Sequence, residues 1–91
     1  MKYKVSATKA FNKALKRCEK RGLNMRLIRD AMQYLAEHGT LPASYRPHIL
    51  SGNYAGLWEC HIEPDWLMIW EQNDSELTLL FLKTGTHSDL F

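Results

Sequence analysis

Apolar residues recur every three to four positions through the first forty residues of the chain and every second position after that. The change of period divides the molecule into a helical and a stranded half. Residues 2–6 (KYKVS) alternate and predict a short first strand. Ser6 or Thr8 can cap a helix running to about Arg21, with Phe11, Leu15 and Cys18 as its inner stripe beside Ala10 and Ala14, and Gly22 ends it. Asn24 opens a second helix to about His38, with Leu27, Ile28, Ala31, Met32 and Leu35 inward and Gly39 closing it. So short a connection makes the two helices roughly antiparallel. An irregular stretch with Pro42, Tyr45, Arg46 and Pro47 follows, then a short strand at 48–50 that Ser51-Gly52-Asn53 ends. Leu57 to Glu63 alternates, with Trp58, Cys60 and Ile62 on one face and Leu57, Glu59, His61 and Glu63 on the other. Pro64-Asp65 turns the chain into a return strand from Trp66 to Glu71, and after a turn at 72–75 a last strand spans Glu76 to Thr84. The expected fold is α+β, an N-terminal strand and two antiparallel helices packed on one face of a mainly antiparallel sheet.

Ninety-one residues, 45% of them hydrophobic and 24% charged, make one ordinary soluble domain over 1–91. No apolar run approaches the roughly 20 residues a bilayer demands, and the segment MKYKVSATKAF holds no apolar signal-peptide core. A cytoplasmic protein without membrane contact is expected, with Cys18 and Cys60 as reduced buried thiols. The net charge of +2 hides a strong asymmetry. Residues 1–30 carry ten basic against two acidic side chains, and residues 31–91 carry two against eight, so the halves stand at +8 and −6. A like-charged helix face is either simply solvated or a surface that attracts phosphate.

The acidic half holds the candidate chemistry. His48, His61 and His87 can converge with Asp65 on one rim of an antiparallel sheet, His61 and Asp65 flanking a single turn. Histidine exchanges a proton near neutral pH, and without an adjacent hydroxyl or thiol nucleophile such a set fits acid–base work on a substrate that brings its own nucleophile, as RNA does with its 2′-hydroxyl. The plain alternative is three unrelated surface histidines. Zinc is a further competitor, but HExxH, CxxC and helical ligand spacing are all missing, so neither metal nor other cofactor is expected. Cys60 points to the core side of its strand, which disfavours a thiol nucleophile. Trp66 and Phe91 are the aromatic candidates for stacking on bases, with core packing the competing reading for Trp66. Ser88-Asp89-Leu90-Phe91 would fray unless docked, and Leu90 is its expected anchor.

Leu50-x-Gly52, Cys60-His61-Ile62-x-Pro64-Asp65-Trp66 and Thr84-Gly85-Thr86-His87-x-x-Leu90-Phe91 together make an unusual signature. The chain resembles the YafQ-type toxins of the RelE/ParE superfamily along essentially its whole length, most specifically over 45–91. The resemblance implies a RelE-like fold and a ribosome-dependent messenger-RNA endonuclease of a type II toxin–antitoxin system, neutralised by a RelB/DinJ-like antitoxin in a hetero-oligomer. It implies His48, His61, Asp65 and His87 as the catalytic cluster, with Lys83, Trp66, Phe91 and Arg46 holding substrate. Lys83 stands where some relatives carry arginine, keeping the charge without the bidentate fork. The expected mechanism is metal-free transesterification, with His87 as acid, Asp65 or His61 as base, and His48 and Lys83 offsetting phosphoryl charge. Lys9, Lys13, Lys16, Arg17, Lys20 and Arg21 form the expected dock for ribosomal RNA. A ParE-like inhibitor of DNA gyrase is the alternative, and a decayed toxin that only binds antitoxin is another; neither has an evident need for the histidine–aspartate set.

Overall fold

The computed structural model describes residues 2–91. Strand β1 (Lys4–Ala7) leads into helices α1 (Lys9–Lys20) and α2 (Met25–His38), and then come strands β2 (His48–Ile49), β3 (Trp58–Glu63), β4 (Trp66–Asn73) and β5 (Thr78–Gly85) and a one-turn helix α3 (His87–Leu90). Short 3-10 turns occupy Ala43–Tyr45 and Gly52–Tyr54. The five strands lie in the order β1-β5-β4-β3-β2. Only the β1–β5 pair is parallel, so the sheet is mainly antiparallel, as the change of period implies.

The helices begin and end where their capping residues stand. The Thr8 side chain accepts the Phe11 N–H at 3.0 Å, and the Asn24 side chain accepts that of Arg26 at 3.0 Å. Phe11, Ala14 and Cys18 of α1 and Ile28, Ala31, Leu35 and Ala36 of α2 are buried. All but Ala14 meet Cys60, Trp66, Met68, Trp70, Leu79 and Phe81 of the sheet in one apolar cluster, with the Phe11 and Phe81 rings 5.5 Å apart. Two positions expected inside are not: Ala10 is exposed and Leu27 is 36% exposed. Leu27 lies about 100° round the helix from Ile28, and Ala36 completes the buried line in its place.

The opposite sheet face is also closed. Leu67 and Ile69 are fully buried although they lie outside the helix-side cluster. Tyr54 sits above this face, with the Lys83 ammonium 5.8 Å from its ring and the Phe91 ring edge-on at 5.6 Å.

Two irregularities in pairing decide which side chains reach that second face. Between β3 and β4 the register shifts across His61 to Glu63. Between β4 and β5, Trp70 faces Phe81 while Ile69 faces Lys83, so Leu82 is an extra residue. Strict alternation would put Lys83 on the helix side with Leu79 and Phe81. The inserted residue reverses this, sending Lys83 to the outer face and Thr84 inward.

Gly39 ends α2 in a left-handed conformation, φ 71°, and a Cβ there would lie 2.6 Å from the Tyr3 ring. Tyr3 is held by its hydroxyl, which donates to Asp74 at 2.6 Å. Gly39→Ala therefore combines backbone strain with a clash against an anchored ring. It is expected to lower stability by about 1–3 kcal/mol, read as a lower urea midpoint with an unchanged slope.

Candidate active site

The three histidines come together on the outer face. His48 pairs with Glu59 in the β2–β3 register. The row His61–Leu67–Gly85 crosses β3, β4 and β5, and His87 follows two residues on at the start of α3. The His48 and His61 rings are 6.3 Å apart, and those of His61 and His87 are 5.9 Å apart. Asp65 joins them from the β3–β4 turn.

Asp65 orients His87, not its sequence neighbour His61. Its Oδ1 accepts the His87 backbone N–H at 2.9 Å and lies 2.5 Å from His87 Nδ1. These two bonds, the backbone one first, hold the Asp65 carboxyl below the ordinary carboxylate range. A carboxyl shifted this way keeps its contact above its ordinary pKa and loses it only as pH falls through the lowered one. With Nδ1 donating to a carboxylate, His87 Nε2 is turned outward.

His61 Nδ1 is 3.2 Å from the Pro64 carbonyl and 3.4 Å from Arg46 Nη2. A carbonyl accepts only, so the shorter contact assigns the proton to Nδ1 and leaves the Nε2 lone pair free. His48 is held at both nitrogens, Nδ1 at 2.9 Å from the Arg46 carbonyl and Nε2 at 3.1 Å from Glu59 Oε1. Both ring nitrogens are thus engaged by oxygens, so neither is left open to a substrate proton. Arg46 has φ 49°, a left-handed conformation unusual for a residue with a side chain; its carbonyl reaches His48 while its guanidinium reaches His61.

The remaining sequence candidates divide. Phe91 is 62% exposed against Tyr54, and Lys83 is exposed beside the same ring, so both border the rim. Trp66 does not. It is 2% exposed in the helix-side core, and its indole N–H donates to Thr84 Oγ1 at 2.9 Å, so base stacking by Trp66 is corrected to a structural role. Lys9, Lys13, Lys16, Arg17 and Lys20 are exposed along α1. Arg21 departs from that group: its guanidinium is bound by Asp89, at 2.6 Å and 3.2 Å. The cysteines are buried; desolvation pushes the Cys60 thiol up to about 12 and raises that of Cys18, so neither presents a thiolate near neutral pH.

Two residues at this face had no assigned role in the sequence reading. Glu59 is 5% exposed, with Oε1 on His48 and Oε2 buried without a partner. Its place on the His61 face was legible from alternation, but its burial was not. Asp89 closes the α3 capping box with Thr86, and the signal was the Thr-x-x-Asp spacing.

A mixed α+β fold of this kind is that of small bacterial toxins. The structure is similar to that of YafQ from Escherichia coli strain BL21(DE3), with a TM-score of 0.90 and 32% identity over 98% of each chain. It is similar to the toxin in the E. coli DinJ–YafQ toxin–antitoxin complex, with a TM-score of 0.89 and 33% identity over 100% of this chain and 99% of that one. In sequence it is 37% identical over 82 residues to the mRNA interferase toxin YafQ of E. coli K12, covering 89% of this chain and 87% of the relative. The family described as the bacterial toxin of type II toxin–antitoxin systems, YafQ, matches residues 3–91. The chain belongs to the YafQ family.

The burial difference separates the two aromatic candidates. Trp66→Ala is expected to cost about 3–5 kcal/mol of stability, the range for emptying a large core site. Phe91→Ala should leave the unfolding midpoint nearly unchanged and weaken RNA binding. Urea denaturation and titration with a labelled oligoribonucleotide check the pair.

Proposed function

We propose that residues 1–91 act as one toxin domain, an endoribonuclease that cuts messenger RNA on the translating ribosome by metal-free transesterification and is held in check by a DinJ-like antitoxin. The observation that carries this reading is the outward pair of imidazole nitrogens: the Asp65 carboxylate turns His87 Nε2 outward, and the Pro64 carbonyl leaves His61 Nε2 free. The rings, 5.9 Å apart, are close enough to serve the two ends of one phosphodiester.

His61 Nε2 takes the proton of the substrate 2′-hydroxyl, and that oxygen attacks the adjacent phosphorus. A 2′,3′-cyclic phosphate forms as the bond to the 5′-oxygen breaks. His87 Nε2–H protonates the departing oxygen. Asp65 accepts from the other nitrogen of His87, and so orients the acid instead of acting as base. Arg46, His48 and Lys83 offset charge that accumulates on the phosphoryl oxygens. Phe91 offers an exposed ring for a base. Ribosomes place this activity in the cytoplasm, and among the described residues no helix is long and apolar enough to cross a membrane.

The exposed lysines of α1 supply the ribosome dock. Lys13, Arg17 and Lys83 all line a cleft of about 330 Å³ between α1 and the end of β5, which sets the basic helix beside the strand that leads to the rim. A binding-only gyrase inhibitor has no use for two oriented imidazoles.

Primer extension on translating ribosomes tests the chemistry. His87→Ala is expected to slow cleavage about 10²–10⁴-fold, with the ribosome still bound; a change under threefold would remove His87 from its role. Reversing the charge at Lys13, Lys16 and Lys20 should weaken ribosome association and flatten its dependence on salt. Unaltered association would place the dock elsewhere.

A further inference from the structure

The helix that carries His87 is too short to form by itself, since isolated helices below about 12–15 residues are marginal in water. Its geometry is fixed by contacts with the rest of the fold: the Tyr54 hydroxyl donates to the Leu90 carbonyl at 3.5 Å, and two carboxylates hold its first turn. One is Asp65, which accepts the His87 backbone N–H. The other is Asp89, whose carboxylate is the most heavily engaged acid among the described residues. Its Oδ2 accepts Arg21 Nη1 at 2.6 Å and the Thr86 N–H at 2.9 Å, and its Oδ1 lies 3.2 Å from Arg21 Nη2. The Asp89 N–H returns a bond to Thr86 Oγ1 at 3.1 Å. The side chain lies flat over Gly85, where a Cβ would come within 2.7 Å of Oδ2 and 2.9 Å of the Asp89 Cβ.

Arg21 comes from the C-cap of α1, sixty-eight residues away in sequence. Among the described residues it is the one arginine or lysine in an ion pair. It is also withdrawn from the basic face that extends along α1. The Arg21 bonds, together with the backbone bond from Thr86, hold the Asp89 carboxyl well below the ordinary carboxylate range.

We propose that the Arg21–Asp89 pair is a latch that positions the His87 turn against Asp65, making Arg21 and Asp89 positioning residues for the cleavage step. The proposal rests on the assignment of His87 as the proton donor. Surface ion pairs contribute little to global stability, so loss of this one acts on the turn and not on the fold. Misplacing a reacting group by about 1 Å can cost as much as 10²-fold in rate, and His87 lies two residues from the latch.

The experiment is a double-mutant cycle on the full chain, with Asp89→Asn, Arg21→Ala and both together. Single-turnover cleavage on ribosomes gives the rate and the half-saturating ribosome concentration separately, and hydrogen exchange at the His87 amide reports the turn. Asn at 89 can still accept the Thr86 N–H, so it removes the ionic contact while sparing the cap. The latch predicts that each single change slows cleavage about 10- to 100-fold with little change in half-saturation. The double variant should be no slower than the slower single, the His87 amide should lose protection, and Arg21→Lys should restore part of the rate.

A docking role for Arg21 predicts the reverse. Arg21→Ala would then weaken ribosome association, while Asp89→Asn, which removes a negative charge, would strengthen it and leave the rate alone. That pattern, additive effects, or full-speed cleavage by Asp89→Asn would overturn the latch. The wild-type chain in the same assay tests the endonuclease reading by itself. If it cleaves, the ratios among the variants decide the latch alone. If it does not, both fall, and the missing wild-type activity identifies the endonuclease reading as the one that failed first.

Discussion

Between Phe81 and Lys83 the last strand holds one residue more than β4 can pair with, and because of it Lys83 and Thr84 exchange the sheet faces that alternation would give them. Before Leu82, β5 sends Leu79 and Phe81 into the helix-side core. After it, Lys83 emerges beside Tyr54, and Thr84 turns inward to accept the Trp66 indole N–H and donate to the Leu67 carbonyl at 2.7 Å. Those two bonds satisfy a hydroxyl and an indole that would otherwise be buried without partners. They also fix the start of β4 against the end of β5, which is where Asp65 and His87 meet. The insertion thus places a cation on the reactive face and stiffens the core directly beneath it.

The rim is organised by acceptors. Each of the three rings has a nitrogen committed to an oxygen, from Asp65, Pro64, or Arg46 and Glu59. A hydrogen bond at one imidazole nitrogen fixes the orientation of the ring and the state of the other nitrogen. Chemically identical side chains are thereby given different tasks. The acidic half of the chain serves this purpose: Glu59, Asp65 and Asp89 each hold a cationic group or a histidine, and the lysines of α1 are left to solvent and to anionic partners.

Much of this was legible in the chain and some was not, for identifiable reasons. The helices were readable because amphipathic period and caps agree at Thr8, Asn24 and Gly39. Alternation placed His61 on the face away from Cys60. It could not choose between the two readings of Trp66, because Trp66-Leu67-Met68-Ile69-Trp70 is apolar throughout and a strand buried on both faces has no period to read. The face that Lys83 takes was not legible, because an inserted residue leaves no composition signal. The partner of Asp65 was not legible, because proximity in sequence points to His61, whereas the contact with His87 joins residues 22 apart. The one-turn helix escaped notice because it is shorter than any hydrophobic period.

Strand β1 joins the sheet in parallel beside β5, with Lys4 opposite Thr78 and Ala7 opposite Phe81. The first strand to be synthesised therefore waits for the last before it has any neighbour, and closing so long a loop precedes any gain from the contact. Until β5 has emerged, Leu79, Phe81 and Gly85 are unavailable and the rim has no floor. In this architecture the face that carries the three histidines is completed only once β5 has paired.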